Sequence, residues 1–204
     1  IMARGERVIA VSETVRQYIL QHYRTCPPDS IKLIYRGVDP SEFPYGYQPT
    51  AEWRQQWQAR FPQLANNKVL TLPGRITRLK GHEAFISLIG QLKAEGLAVH
   101  GVIVGGDKKK KQDYLAELHQ LVARHNLADD ITFTGLRNDI RDIFAVSDLV
   151  LSLSSKPESF GRTVLEALRL GRPVIAWDKG GAGEILARLW PEGLIPDQDT
   201  DRLG

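Results

Sequence analysis

Short runs of aliphatic and β-branched residues recur along this chain. Between them lie stretches in which apolar positions return every three to four residues. The runs are Val8–Val11, Ile31–Tyr35, Val69–Leu72, Val99–Val104, Ile131–Phe133, Leu149–Leu153 and Pro173–Trp177. Most are nearly continuous in apolar character, as expected of strands covered on both faces. The helix-period stretches are Glu13–His22, Glu52–Phe61, His82–Lys93, Gln112–His125, Ile140–Val146 and Arg162–Leu170. In His82–Lys93, the residues Phe85, Ile86, Leu88, Ile89 and Leu92 fall on one helical face. Repeated strand–helix–strand spacing predicts an α/β fold with a parallel sheet and right-handed crossovers.

The rhythm breaks from Gly37 to about Asn67. Gly37, Pro40, Pro44, Gly46 and Pro49 crowd together there, ahead of a short helix with Trp53 and Trp57 on one side. Residues 1–37 therefore read as the end of one α/β domain, 38–66 as a hinge or linker, and 67–204 as most of a second domain. The final DQDTDRLG resembles a helix N-cap without its helix, so both ends read as truncated.

Composition narrows the class. The 204 residues are 42% hydrophobic and 25% charged, an ordinary globular balance that argues against disorder. The lone cysteine, Cys26, excludes an internal disulfide framework and fits a reducing compartment. No apolar run approaches the ~20 residues of a membrane span, and the first residues do not read as a signal peptide. The net charge is +3 and the pI about 9.0, too mild for a dedicated nucleic-acid binder. The one dense basic run, Lys108–Lys111, reads as a solvated loop or as a contact for an anionic membrane surface or acidic partner.

Open parallel sheets bind ligands beyond the carboxyl ends of their strands, so the residues after each run are the candidates. PGRITRLKGHE follows Val69–Leu72. Gly74 permits a tight exit from the sheet, and Arg75 and Lys80 flank a loop that enters a helix. A fork-shaped cation, a point charge and a helix N-terminus together suit a diphosphate. Two exposed charges on a glycine turn are the equal alternative. Gly105–Gly106–Asp107 follows the next strand and reads as an ordinary turn. Neither G-x-G-x-x-G nor a Walker A sequence is present. Thr134–Asn138 follows Ile131–Phe133. It reads either as a loop that contacts a base through its backbone groups or as a polar turn with Asp139 capping the next helix. In PESFGRTVLEALRLGRPVIAWDKGG, Glu158 precedes the helix and Glu166 lies within it. Glu158 can serve simply as negative charge at a helix N-terminus. The backbone at Phe160 and Gly161 can offer unpaired N–H groups to ligand oxygens. Glu166, among Leu165, Ala167 and Leu168, is a carboxylate at the edge of packing and needs a partner such as a ribose diol. The glycines of DKGGAGE are consistent with backbone lying close to a phosphate.

These motifs together resemble the retaining GT-B glycosyltransferases of family four (glycosyl transferases group 1). PESFGRTVLEALRLGRPVIAWDKGGAGEIL resembles that family's signature of two glutamates separated by seven residues, with Phe-Gly after the first. PGRITRLKG resembles its donor loop. IYRGVDPSEF resembles its hinge, with Arg36 where Asn is usual. The resemblance covers nearly the whole chain. It implies two Rossmann-like domains, of which this chain holds mainly the second, donor-binding one. It implies Arg75 and Lys80 on the donor diphosphate, Glu158 with backbone at Phe160 and Gly161 on the transferred sugar, Glu166 on the ribose and Arg137 near the base. It also implies a UDP-, GDP- or ADP-sugar donor, retention of configuration, no metal or other cofactor, and work at the cytoplasmic membrane face on a glycan, lipid-linked or small-molecule acceptor. VGGDKKKK departs from the family's usual Gly-Asp-Gly-Pro. With the acceptor side absent, the chain is expected to bind nucleotide without turnover.

Two other classes compete. A nucleotide-sugar epimerase or hydrolase on the same fold would need catalytic groups in the first domain. A non-catalytic sugar-nucleotide module would not need both glutamates together with Arg75 and Lys80. A metal-dependent transferase would need an Asp-x-Asp after a mid-sheet strand. Asp197-x-Asp199 and Asp199-x-Asp201 sit at the chain's end instead, and the five histidines show no ligand spacing.

Overall fold

The computed structural model describes residues 5–106, 112–197 and 199. The basic run at 108–111, Asp107 and the tail at 200–204 lie outside the described residues.

The first unit is a small parallel pair. Strand β1 (Val8–Ala10) leads through helix α1 (Glu13–His22) to β2 (Ile31–Leu33), with Val8 opposite Ile31. Both strands stop earlier than their apolar runs suggest. Ile9, Leu33 and Ile34 stay exposed, while Ala10, Ile19, Cys26 and Ile31 form a small core of their own.

The second unit carries the large sheet. After helix α2 (Ala51–Arg60) come β3 (Lys68–Pro73), α3 (His82–Ala94), β4 (Val99–Val104), α4 (Gln112–Arg124), β5 (Ile131–Gly135), α5 (Ile140–Ala145), β6 (Leu149–Ser152), α6 (Arg162–Arg169), β7 (Val174–Trp177), α7 (Gly180–Leu189) and β8 (Leu194–Ile195). The strands lie in the order β5-β4-β3-β6-β7-β8 and every neighbouring pair is parallel. Counted from β3, this is the doubly wound 3-2-1-4-5-6 order. The period-two alternation of the pleat feeds two cores. Leu70, Leu72, Ile103 and Leu151 meet α3 and α4, and Val69, Val102, Val150 and Val174 meet α2, α5, α6 and α7. That is why the strands read as continuous apolar runs.

Two parts of the sequence reading change. Helix α7 and strand β8 were not anticipated. The Gly180–Gly183 run, read as a phosphate-side loop, is the first turn of α7. A Cβ on Gly181 would lie 2.4 Å from the Phe160 carbonyl oxygen, so small residues there permit close helix-to-loop packing. The segment read as a linker is also not detached. Trp57, Phe61 and Leu64 are buried against Val69, Val102 and Ile143, and Trp53 stacks on Trp57 at 5.1 Å between centroids. Trp57→Ala is therefore expected to cost about 3–5 kcal/mol in denaturant unfolding, as for a buried large aromatic. A loss below about 1 kcal/mol would mean that α2 does not hold the sheet.

Candidate functional site

The strand order reverses between β3 and β6, so the crossovers on either side run to opposite faces and leave a crevice at the carboxyl ends of these two strands. The two loops leaving them meet there. Ser155 N–H donates to the Leu79 carbonyl at 3.0 Å. Gly81 stands in the left-handed region at φ 75°, and a Cβ on it would lie 2.1 Å from the Leu153 carbonyl oxygen. Only glycine satisfies both conditions.

Helices α3 and α6 flank this crevice and begin alike. Each starts at a left-handed glycine, Gly81 or Gly161, with no side-chain cap. By contrast, α1 and α2 carry Ser12 and Thr50 caps that accept from Val15 and Trp53 N–H. The site helices thus lack a capping side chain where an anion or a sugar oxygen can accept from their first N–H groups.

Charged side chains close over the same place. The Lys80 ammonium donates to the Glu158 carboxylate, and Ser154 Oγ donates to it at 2.5 Å. Burial alone would push Glu158 up, but these two donors outweigh it and hold its carboxyl below the ordinary value. Gly181 N–H donates to the Glu158 carbonyl at 2.8 Å, and Lys179 Nζ donates to the Ser155 carbonyl at 2.9 Å. The loop is therefore held from within by Ser154, from the start of α7 and from the β3 loop. Glu158 is not merely a charge near a helix end. It is an ion-paired carboxylate at the switch point.

Glu166 is different. It is buried on α6, with only 8% of its side chain exposed, and Arg162 Nε lies 3.1 Å away. Burial pushes its carboxyl up, Arg162 opposes that, and the charge of Glu42 adds to it. Its buried carboxylate accepts from Arg162 alone among the described side chains within salt-bridge reach.

Of the two loop arginines, Arg78 is tied to Glu117 on α4 at 2.7 Å and lies over the Tyr114 ring, while Arg75 is exposed. Gly74 and Gly105 press together, since a Cβ on Gly105 would lie 1.7 Å from the Gly74 carbonyl oxygen. The buried imidazole of His82, next to Gly81, is pushed down to about 4 by desolvation and carries no charge at neutral pH.

The Arg137 side chain is committed within the protein. Its guanidinium donates to Asp139 at 2.8 and 2.5 Å and lies over the Trp57 ring, and Trp53 Nε1 donates to the same carboxylate at 2.7 Å. Asp139 stands at the start of α5 but makes no side-chain cap bond; it bolts α2 to the β5 loop instead. Asp197, considered for an Asp-x-Asp pair, is salt-bridged to Lys179 at 2.5 Å. Sequence reading missed Glu184, whose contacts span the two units. Its position inside an unrecognised helix hid it.

A parallel doubly wound sheet with a cationic loop, glycine-started helices and an ion-paired carboxylate at its switch point has the Rossmann-like architecture of a GT-B domain. The family models agree. The model described as glycosyl transferases group 1 matches residues 54–201, and that described as glycosyltransferase family 4 matches residues 1–42. The chain belongs to the glycosyl transferases group 1 family. An uncharacterized glycosyltransferase of Methanocaldococcus jannaschii is 29% identical over 94% of this chain and 48% of its own. A D-inositol 3-phosphate glycosyltransferase of Stackebrandtia nassauensis is 30% identical over 89% of this chain and 40% of its own. Among solved structures, a glycosyltransferase from Rickettsia africae superposes with a TM-score of 0.87 at 28% identity, covering 100% of this chain and 52% of that one. HepE from Anabaena, in complex with UDP and glucose, gives 0.85 at 29% identity, covering 98% and 52%. The chain thus spans about half the length of the relatives it matches. No helix among the described residues is long and apolar enough to cross a membrane.

A buried carboxyl whose value is raised binds protons more readily folded than unfolded. Stability then falls as pH climbs from the ordinary carboxylate range through the raised value. Glu166→Gln removes that loss. It is expected to raise stability at pH 7 by about 0.5–1 kcal/mol, screening at the helix edge keeping the gain small. Thermal melts at pH 4 and pH 7 check this, and a variant less stable than wild type at pH 7 would show that Arg162 compensates the buried charge in full.

Proposed function

We propose that this chain is the donor-binding part of a retaining glycosyltransferase. It would transfer a hexosyl group from a nucleotide-diphospho-sugar to a glycan, lipid-linked or small-molecule acceptor. The observation that carries this is the pairing of Lys80 with Glu158 between two helices that lack side-chain caps. A diphosphate needs cations and free N–H groups, and a sugar needs an ionised acceptor beside them.

The Lys80–Glu158 pair gives the site a defined charge state before a donor binds. On donor arrival Lys80 turns from the carboxylate to the diphosphate, with Arg75 as the second cation. Glu158 is released to accept from the hydroxyls of the sugar. Backbone N–H groups at Phe160 and Gly161 complete that pocket, and Gly74 lets the chain pass close to the phosphates. Glu166 receives the two ribose hydroxyls, which supply the donors it lacks. Two cations and two helix ends provide the countercharge, so this reading routes nothing through a metal. Arg137 shapes the base end by holding the β5 loop to α2 rather than by touching the base. UDP-sugars are the first donors to test, because the Anabaena neighbours are complexes with UDP, glucose and UDP-glucose. Peripheral contact with an anionic membrane face on the cytoplasmic side is part of this reading, and the basic run Lys108–Lys111 is compatible with it.

Calorimetry of the full-length protein with UDP and UDP-glucose tests the assignment. Glu166→Ala is expected to weaken UDP by about 1–3 kcal/mol, the loss of hydrogen bonds to a charged group. Equal affinity in wild type and variant removes the ribose role. Glu158→Gln is expected to lower kcat by about 100-fold or more while UDP affinity changes by less than about threefold, because the lost contact belongs to the sugar. Unaltered kcat would end the sugar role.

A further inference from the structure

The first turn of α1 is capped from outside its own unit. The Glu184 carboxylate, on α7, accepts from Glu13 N–H at 2.8 Å, from Thr14 N–H at 2.7 Å and from Thr14 Oγ1 at 2.7 Å. Tyr35 OH, just beyond β2, donates to it at 3.1 Å, and Arg188 donates to Tyr35 OH at 3.1 Å. Four donors thus converge on one half-buried carboxylate, all of them from the first unit. Burial opposes its ionisation, but these donors, led by Thr14, outweigh that and hold its carboxyl below the ordinary value. Beside it Ser12, which has no exposed surface, accepts from Val15 N–H and donates to the Ser159 carbonyl at 2.6 Å. Ser159 is the residue after Glu158, and Glu158 is bonded through its carbonyl to Gly181 at the start of α7.

We infer that Glu184 is a positioning residue: by capping α1 it latches the first unit onto α7 and so presses Ser12 against the turn that carries Glu158. The contact is built from directional hydrogen bonds to one charge. Ordinary burial of apolar area does not require that geometry, whereas a junction that must close in a single register does. Helix α1 already has a cap of its own in Ser12, so the Glu184 carboxylate is not needed for α1 to exist. It determines where α1 sits. When the units are apart, the Ser159 carbonyl loses its Ser12 donor and the Glu158 turn keeps only its tethers within the second unit. This rests on the reading of Glu158 as the sugar-binding carboxylate.

The test uses the full-length protein with Glu184→Ala and the milder Glu184→Gln, which keeps one accepting oxygen. Amide hydrogen exchange at Glu13 and Thr14 reads the latch without any ligand. Exchange should accelerate about tenfold in Glu184→Ala, the equivalent of one lost hydrogen bond to a charge, and less in Glu184→Gln. In the same variants kcat should fall about 10- to 100-fold in Glu184→Ala, with partial recovery in Glu184→Gln, while UDP affinity stays within about threefold. Unchanged exchange at Glu13 and Thr14 overturns the latch. Accelerated exchange with unchanged kcat overturns the positioning role. If Glu184→Ala fails to fold, Glu184→Gln alone decides both points by the same two readouts. Failure of the wild type to bind UDP would strike the donor reading, and it would be seen separately from the exchange result.

Discussion

The reversal of strand order between β3 and β6 is the constraint on which the site depends. It sends α3 to one face of the sheet and α6 to the other, and it leaves the carboxyl ends of two adjacent strands uncovered. Two loops then occupy the space of one. They fit because Gly81 has no side chain to meet the Leu153 carbonyl, and Gly161 likewise lets α7 approach at Ala182. The same glycines start α3 and α6 without a capping side chain. One backbone requirement therefore produces both the close approach and the unserved N–H groups. Ligand chemistry at the switch point follows from packing.

Much of the fold was legible because a sheet covered on both faces writes itself as apolar runs. The large sheet from β3 to β7 and helices α1 to α6 stand close to where periodicity put them. Helix α7 escaped because it begins Gly-Gly-Ala-Gly, a composition that argues against a helix. Those glycines are there so that α7 can lie against the Phe160 carbonyl, which is tertiary information. Strand β8 escaped because it is two residues long. The tryptophan helix α2 was found, but its role as a sheet cover was not, since the partners Val102 and Ile143 lie far along the chain.

The site was legible in kind more than in role. Residue type and position after a strand singled out Lys80, Glu158, Glu166 and Arg75 as candidates. They did not show that Lys80 and Glu158 hold each other, because that pair closes over 78 residues. For Arg137 the loop position was informative and the side chain was not. Its commitment to Asp139 and the tryptophans depends on where α2 lands.

Three glutamates within one stretch of sequence, Glu158, Glu166 and Glu184, differ in how far the protein itself satisfies them. Glu184 receives four hydrogen bonds from the protein and is satisfied as it stands. Glu158 has two side-chain donors, and one of them is a lysine that a diphosphate can draw away. Glu166 is the most buried of the three and faces one arginine whose own side chain is 67% exposed. Its burial pushes its carboxyl up, whereas donors hold the other two down. The order of donor supply is the reverse of the order expected for ligand hydroxyls. A buried acceptor left short of donors costs stability, and under the proposed function a ribose diol would offset that cost on binding. The carboxylate that the protein itself satisfies least is the one that the proposed donor would have most to satisfy.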